Sequence, residues 1–342
     1  MGGALQLILM KQPLPNSMHT MAIEHGTLTP TTLALPVPAA GELLIRVAYV
    51  GVNRADILQI EGNYAAPEGA SPLPGLEVSG WVAALGDGAH GFAVGDEVCA
   101  LLSGGGYAEY VAVPVSQVLP LPSGIDLKTA ASLPEAAATS MMALVHEGCM
   151  KAGERVLIHG GTSGVGLLMT QIAKSLEAEV FTTVGGTQKA AFVRNLGITP
   201  IDHHVAPFGE QLMALTHNAG VDVIIDTLGG PALGNHLRLL RRNGRMVSLA
   251  MLEGAEIPAA TKMVRLVMNH LTWRGATLRS RSLQEKAALM DLVRTHVWPA
   301  LAQGGITPHI DSCFALHEAK KALNRMQERL HMGKILLEVA PE

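Results

Sequence analysis

Residues 155–174 read RVLIHGGTSGVGLLMTQIAK: an apolar run, a loop holding Gly160, Gly161, Gly164 and Gly166, and a second apolar run. No other segment constrains the fold as much. Glycines at the seam of a strand and a helix permit a tight turn and a close backbone approach, and they leave N–H groups exposed at the helix start. Around this loop, strand-like and helix-like segments alternate from Glu154 onward. RVLIH, EVFTTV, PIDH, VDVIIDT and RMVSLA are each followed by a helical run, and LTWRGAT closes the series. Alternation of this kind predicts a parallel sheet with helices on both faces, the doubly wound α/β arrangement of a Rossmann domain.

The chain before residue 132 has a different character. It is rich in Pro, Gly and short β-type runs such as ELLIRVAYVGV, LEVSGWVAALG, GDEVCALL and YAEYVAVP. That pattern predicts an antiparallel, barrel-type domain. Pro134 stands where a helix opens, ahead of an alanine-rich stretch. A charged helix is expected over 282–303, including the helix formers after Ser282. The tail reads strand, helix, strand and is expected to return to the first domain. The expected division is therefore 1–132 with 308–342, and 133–307.

Of 342 residues 16% are charged and 48% hydrophobic, against a usual charged share of about 25%, so the chain can build large cores. A net charge of −4 with no one-sided basic run argues against nucleic acid or an anionic membrane as partner. Cys99, Cys149 and Cys313 are far apart and form no C-x-x-C, which fits a reducing cytoplasm. The apolar start of the chain has no preceding positive charge, so a signal peptide is not expected. Residues 156–173 lack charge, but their four glycines read as strand, turn and buried helix rather than as a membrane span.

The loop suits a pyrophosphate, which can lie on the N–H groups of a helix start where the dipole favours negative charge. Its candidate contacts are Gly160, Gly161, Thr162, Ser163, Gly164, Val165 and Gly166. The strict G-x-G-x-x-G spacing is absent; Gly160-x-x-Ser163-x-x-Gly166 stands in its place. The alternative is a turn whose glycines serve packing alone. The second strand distinguishes cofactors, since an NAD loop usually has a carboxylate about 20 residues on. Residues 182–189 hold none, and Lys189 follows. NADPH is thus expected, with Thr187 and Lys189 near the 2′-phosphate. Their alternatives are a helix cap and an ordinary solvated lysine.

GVNRADILQIEGNY (51–64), PGLEVSG (74–80), GDEVCALLSGGGYAEYVAVP (95–114), HGGTSGVG (159–166), TLRSRS (277–282) and HMGKILL (331–337) together resemble the zeta-crystallin-like quinone oxidoreductases. These form a zinc-independent branch of the medium-chain dehydrogenase/reductase superfamily. The resemblance implies a GroES-like catalytic domain beside the Rossmann domain. Zinc-dependent members carry a cysteine where Asn53 stands and Gly-His-Glu where Gly75-Leu76-Glu77 stands, so no zinc is implied. A lysine and a tyrosine hold the 2′-phosphate in similar enzymes. Lys189 matches the lysine, while the tyrosine position reads Ile201-Asp202-His203, which leaves His203 as a candidate beside an unfavourable carboxylate.

By the same resemblance Lys334 reaches cofactor phosphate or ribose, or else is an exposed lysine beside a terminal strand. Thr139, Ala250 and Leu278 are nicotinamide-side contacts or packing residues. Asn53 and Tyr64, with Asp56 after them, are the candidates for stabilising the substrate oxygen that gains charge. Asn53 could instead anchor the nicotinamide end of the cofactor, and Tyr64 could wall the pocket. The expected activity is NADPH-dependent reduction of a quinone by direct, zinc-independent hydride transfer. The alternatives are an alkenal or enone reductase and a low-turnover NADPH-binding interaction protein. LTWRGAT is expected as the last strand of the sheet, with an apolar edge that in similar proteins pairs with its twofold mate, so the resemblance implies a homodimer; the alternative is an edge covered by its own chain.

Overall fold

ELLIRVAYVG is too continuously apolar for a strand with one wet face, and it becomes the centre of the first of two units. The computed structural model describes residues 13–340; the reading of the chain's apolar start rests largely on residues outside that range. In the first unit β1 (Ser17–Glu24) and β2 (Thr27–Ala34) form an antiparallel hairpin. There follow β3 (Glu42–Gly51), β4 (Glu77–Leu85), β5 (Glu97–Leu101), β6 (Tyr110–Pro114) and β7 (Val118–Pro120). One edge of β3 pairs along its length with β4, and Glu42 to Arg46 on the other edge pair with β6. Both faces of β3 are covered, so Leu43, Leu44, Ile45, Val47 and Val50 are fully buried. Helix α1 (Arg54–Ile60) leaves the end of β3 directly.

Pro134 opens α2 (Pro134–Met141), as its fixed φ favours, and the division between the units falls within this helix. The second unit then alternates as expected: β8 (Arg155–Ile158), α3 (Gly164–Ser175), β9 (Glu179–Val184), α4 (Thr187–Asn195), β10 (Thr199–Asp202), α5 (Phe208–Leu215), β11 (Val221–Asp226), α6 (Leu233–Leu239), β12 (Leu240–Ser248) and β13 (Thr272–Gly275). Its six strands are parallel, in the order β10-β9-β8-β11-β12-β13. This is the doubly wound order of a Rossmann domain. Leu157, Phe181, Ile201, Ile224, Leu237 and Met246 fill one side of the sheet. The order reverses beside β8, which sets the glycine loop at the switch point where such sheets bind ligands.

Two segments differ from expectation. The helical run expected after β12 shrinks to Val264–Met268, with no fully buried residue: Leu266 packs against the core of the second unit, but Val264, Val267 and Met268 stay exposed, which leaves little burial to stabilise a longer helix. Residues Arg279–Ala302, including α7 (Leu283–Leu292), belong to the first unit, whereas the sequence assigned 133–307 to the second. Side-chain bonds hold them there: Lys286 to Ser103, and Trp298 Nε1 to the Pro120 carbonyl. The tail supplies β14 (Ile310–Ala315), α8 (Ala319–Gln327) and β15 (Lys334–Glu338). β15 pairs antiparallel with the end of β3, so the tail returns to the first unit. No described helix is long and apolar enough to cross a membrane.

Candidate functional site

Three glycines of the loop after β8 stand where a side chain cannot. Gly160 has φ +72°, in the left-handed region that glycine enters without cost. A Cβ on Gly166 would lie 2.2 Å from the Gly160 carbonyl oxygen, and one on Gly161 would strike Thr182. Thr182 is fixed by its own bond to the Ile158 carbonyl. Ser163 caps α3: its Oγ accepts from Gly166 N at 3.0 Å and keeps its own proton to donate. The amides of Gly164 and Val165, in the first turn, have no intrahelical acceptors. Close backbone approach, free helix-start amides and a hydroxyl donor fit the pyrophosphate of a dinucleotide. Thr162 is buried beside them.

At the end of β9 the structure adds a charge that the segment itself lacks. Asp202, which pairs with Val184 across β10 and β9, accepts from Gly186 N at 2.8 Å and from His204 N at 3.0 Å. Its carboxylate therefore caps the start of α4, where Thr187 is exposed and Lys189 half-buried. His203 is exposed and meets His204 edge to face. Partial burial, then the charge of His204, holds its imidazole below the usual range. Ala250 and Thr139 are half-buried and Leu278 is buried, all in the second unit.

The catalytic candidates lie in the first unit, around the start of α1. Asp56 is fully buried and both its oxygens are occupied: Oδ2 accepts from Asn53 N at 2.7 Å and from the Tyr107 hydroxyl at 3.1 Å, and Oδ1 from Gly75 N at 3.0 Å. Burial outweighs these bonds and pushes its carboxyl up to about 6. Asp56 ties α1 to two other segments and is not placed to meet a substrate, which corrects its candidacy. Asn53 is corrected as a donor for the same reason. Its Nδ2 donates to the Gly51 carbonyl at 3.1 Å and to Glu77 Oε1 at 3.0 Å, so both amide protons are spent.

Lys334 also departs from expectation. It is buried, and its Nζ donates to Asn53 Oδ1 at 2.8 Å and to the Val52 carbonyl at 3.3 Å while forming an ion pair with Glu77. Glu77 is fully buried, and a buried carboxylate requires a countercharge, which draws the ammonium inward rather than toward a cofactor phosphate. Glu77 Oε2 accepts from Glu135 N at 2.9 Å. Asn53, Leu76 and Glu77 thus do not fit a divalent cation: leucine offers no donor atom, and an ammonium already engages the other two.

Tyr64 is half-buried, with the Arg279 guanidinium 5.4 Å over its ring. Arg279 is itself anchored to Gln59 Oε1 at 2.8 Å and to the Ser103 carbonyl at 2.9 Å. Burial, then the charge of Glu135, raises the Tyr64 phenol above its ordinary value, so it carries its proton throughout the neutral range. Glu135 was not singled out from the sequence. Burial, then repulsion from Glu77, pushes its carboxyl up to about 8, which keeps it protonated at neutral pH. Lys286, likewise missed, donates to Ser103 Oγ at 2.6 Å. Neither had a motif to mark it, since charged residues in helices are ordinarily solvated.

Comparison with known proteins agrees with this architecture. Residues 39–123 match the alcohol dehydrogenase GroES-like domain, and residues 164–295 match the zinc-binding dehydrogenase family. The human synaptic vesicle membrane protein VAT-1 homolog is 30% identical over 326 residues, covering 90% of this chain and 82% of that one. A mycobacterial quinone oxidoreductase superposes with TM-score 0.79 at 27% identity, covering 94% of this chain and 100% of that one. The CurK enoyl reductase superposes with TM-score 0.80 at 28% identity, covering 95% and 100%.

Proposed function

The chain belongs to the medium-chain dehydrogenase/reductase superfamily as an oxidoreductase, and from that premise we propose that it is an NADPH-dependent quinone oxidoreductase that works without zinc. A nicotinamide dinucleotide, when bound, supplies the hydride. The carrying observation is the cluster of Asn53, Leu76, Glu77 and Lys334, in which an ammonium engages the polar groups that a metal would need. Without a Lewis acid the acceptor must already be electron-poor, as a quinone is. The likeness to a quinone oxidoreductase supports the same reading.

In this reading loop 160–166 takes the pyrophosphate. Thr187 and Lys189, with His203, take the 2′-phosphate, opposed by Asp202. Thr139, Ala250 and Leu278 meet the nicotinamide end. Tyr64 donates to the substrate oxygen that gains charge, and Arg279 fixes its ring. Asn53 and Asp56 hold the start of α1 in place.

One observation favours a second reading. Reduction of a C=C bond needs a proton delivered to carbon, and Glu135 is a carboxylic acid still protonated at neutral pH. The enoyl reductase likeness points the same way. The test is to follow NADPH absorbance with 1,4-benzoquinone, a larger naphthoquinone and an enal, then repeat with NADH. Quinone-dependent oxidation preferring NADPH is expected. A response to the enal alone moves the assignment to enone reduction, and tight NADPH binding without turnover makes the protein a binding module.

A further inference from the structure

A buried line of polar groups runs beneath the glycine loop of the second unit. Gly160 N donates to Thr183 Oγ1 at 3.1 Å, and the same oxygen lies 3.0 Å from His159 Nδ1. His159 Nε2 is 2.9 Å from His236 Nε2, and His236 Nδ1 faces Asp226 Oδ1 at 3.9 Å. Asp226 Oδ1 is held by Leu228 N at 2.8 Å and Gly229 N at 3.2 Å, and its Oδ2 accepts from Ser248 Oγ at 2.8 Å. Ser248 Oγ accepts in turn from Trp273 Nε1, on edge strand β13, at 2.9 Å. Thr183, His159, His236, Asp226 and Ser248 are all buried, and Phe208 packs edge-on against His159 and at a tilt against His236.

Counting protons gives the line a direction. Two neutral imidazoles sharing one contact between ring nitrogens place a single proton in it. Burial holds both rings in the neutral form. A lone pair on His236 Nδ1 would face the Asp226 carboxylate, so the proton sits on Nδ1 and Nε2 is the acceptor. His159 then carries its proton on Nε2 and accepts at Nδ1 from the Thr183 hydroxyl. Thr183, its one proton spent, offers a lone pair to Gly160 N–H. The orientation of Asp226, fixed by three other donors, is thereby passed to the peptide plane that opens the loop.

We propose that His159 and His236 are positioning residues for the cofactor loop, transmitting the polarity of Asp226 to Gly160. The inference rests on the dinucleotide-binding reading of that loop and holds whichever acceptor is reduced. Its test combines histidine NMR with NADPH titration of the intact protein. The expected spectrum shows His159 protonated on Nε2 and His236 on Nδ1. His236→Phe, which keeps a ring but no nitrogen, should weaken NADPH binding about five- to tenfold, the factor for one buried hydrogen bond, and shift the Gly160 amide resonance. KM for NADPH rather than kcat should carry the change. His236→Gln, which restores an acceptor near Nε2, should recover affinity to within about twofold on the same grounds. If His236→Phe does not fold, Thr183→Val interrupts the line at its other end and should give the same loss. The opposite tautomers, or wild-type affinity with an unmoved Gly160 amide in both interrupted variants, would overturn the proposal. Failure of the wild-type protein to bind NADPH would instead sink the dinucleotide reading, while the tautomers still decide whether the line is polarised as described.

Discussion

A methyl group at Gly166 would have to share space with the Gly160 carbonyl oxygen 2.2 Å away and Ser163 Oγ at 2.9 Å. The first neighbour is backbone and cannot swing aside. Gly166→Ala is therefore expected to open the loop, weakening NADPH binding at least about tenfold, since even about 1.4 kcal/mol of distortion has that effect. Fluorescence titration measures it. Lys334 and Glu77 behave as one buried unit. Lys334→Met strands a carboxylate and should lower unfolding free energy by about 3–5 kcal/mol in urea denaturation. Adding Glu77→Gln should recover part of that loss, because no buried charge then lacks its partner. Glu135 sets a pH dependence whose sign follows from its raised folded-state pKa. Its contribution to stability is full below about 4.5, its ordinary value, and is lost as pH rises through about 8. Glu135→Gln should flatten the fall in melting temperature across that window, and an unchanged slope would refute the assignment.

Elements follow from local rules wherever neighbours along the chain supply the partners. Helix α3 starts at Ser163 because that hydroxyl accepts from Gly166 N, and α7 starts at Ser282, which exchanges bonds with Glu285. Ser163→Ala should cost about 1 kcal/mol of stability and also remove a phosphate donor. Thermal melts with and without NADPH separate the two effects: the melting temperature falls in both, and the stabilisation by NADPH shrinks. The strands β8, β9 and β11 of the second unit were legible for the same reason, since each is a largely apolar run bounded by turn residues, whereas β10 and β13 were placed by the alternation around them. The run after β12 was misread because its apolar residues, including Val264, Val267 and Met268, are exposed. Periodicity reports that a face exists and is silent on whether anything covers it.

The whole molecule presents that uncovered surface beside a free sheet edge. Strand β13 is exposed at every residue and, among the described residues, pairs on one side only, with β12. An open edge flanked by exposed apolar side chains is a template for association. We expect sedimentation to give twice the 35.9 kDa of one chain, and Val267→Asp with Met268→Asp to yield a folded monomer. A monomeric wild-type protein would remove the dimer proposal. At this scale the sequence by itself determined two architectures and their order, the glycine loop, and the lack of zinc-binding residues at positions 53 and 76. All of these depend on residue type and on neighbours along the chain. Only the tertiary structure decided that Lys334 neutralises Glu77, that Asp202 caps the start of α4, that Glu135 stays protonated, and that residues 279–302 belong to the first unit. The physical reason is that turns, caps and apolar periodicity act over a few residues, whereas the charge state of a buried group depends on which distant side chains packing brings to it and on how much water packing removes.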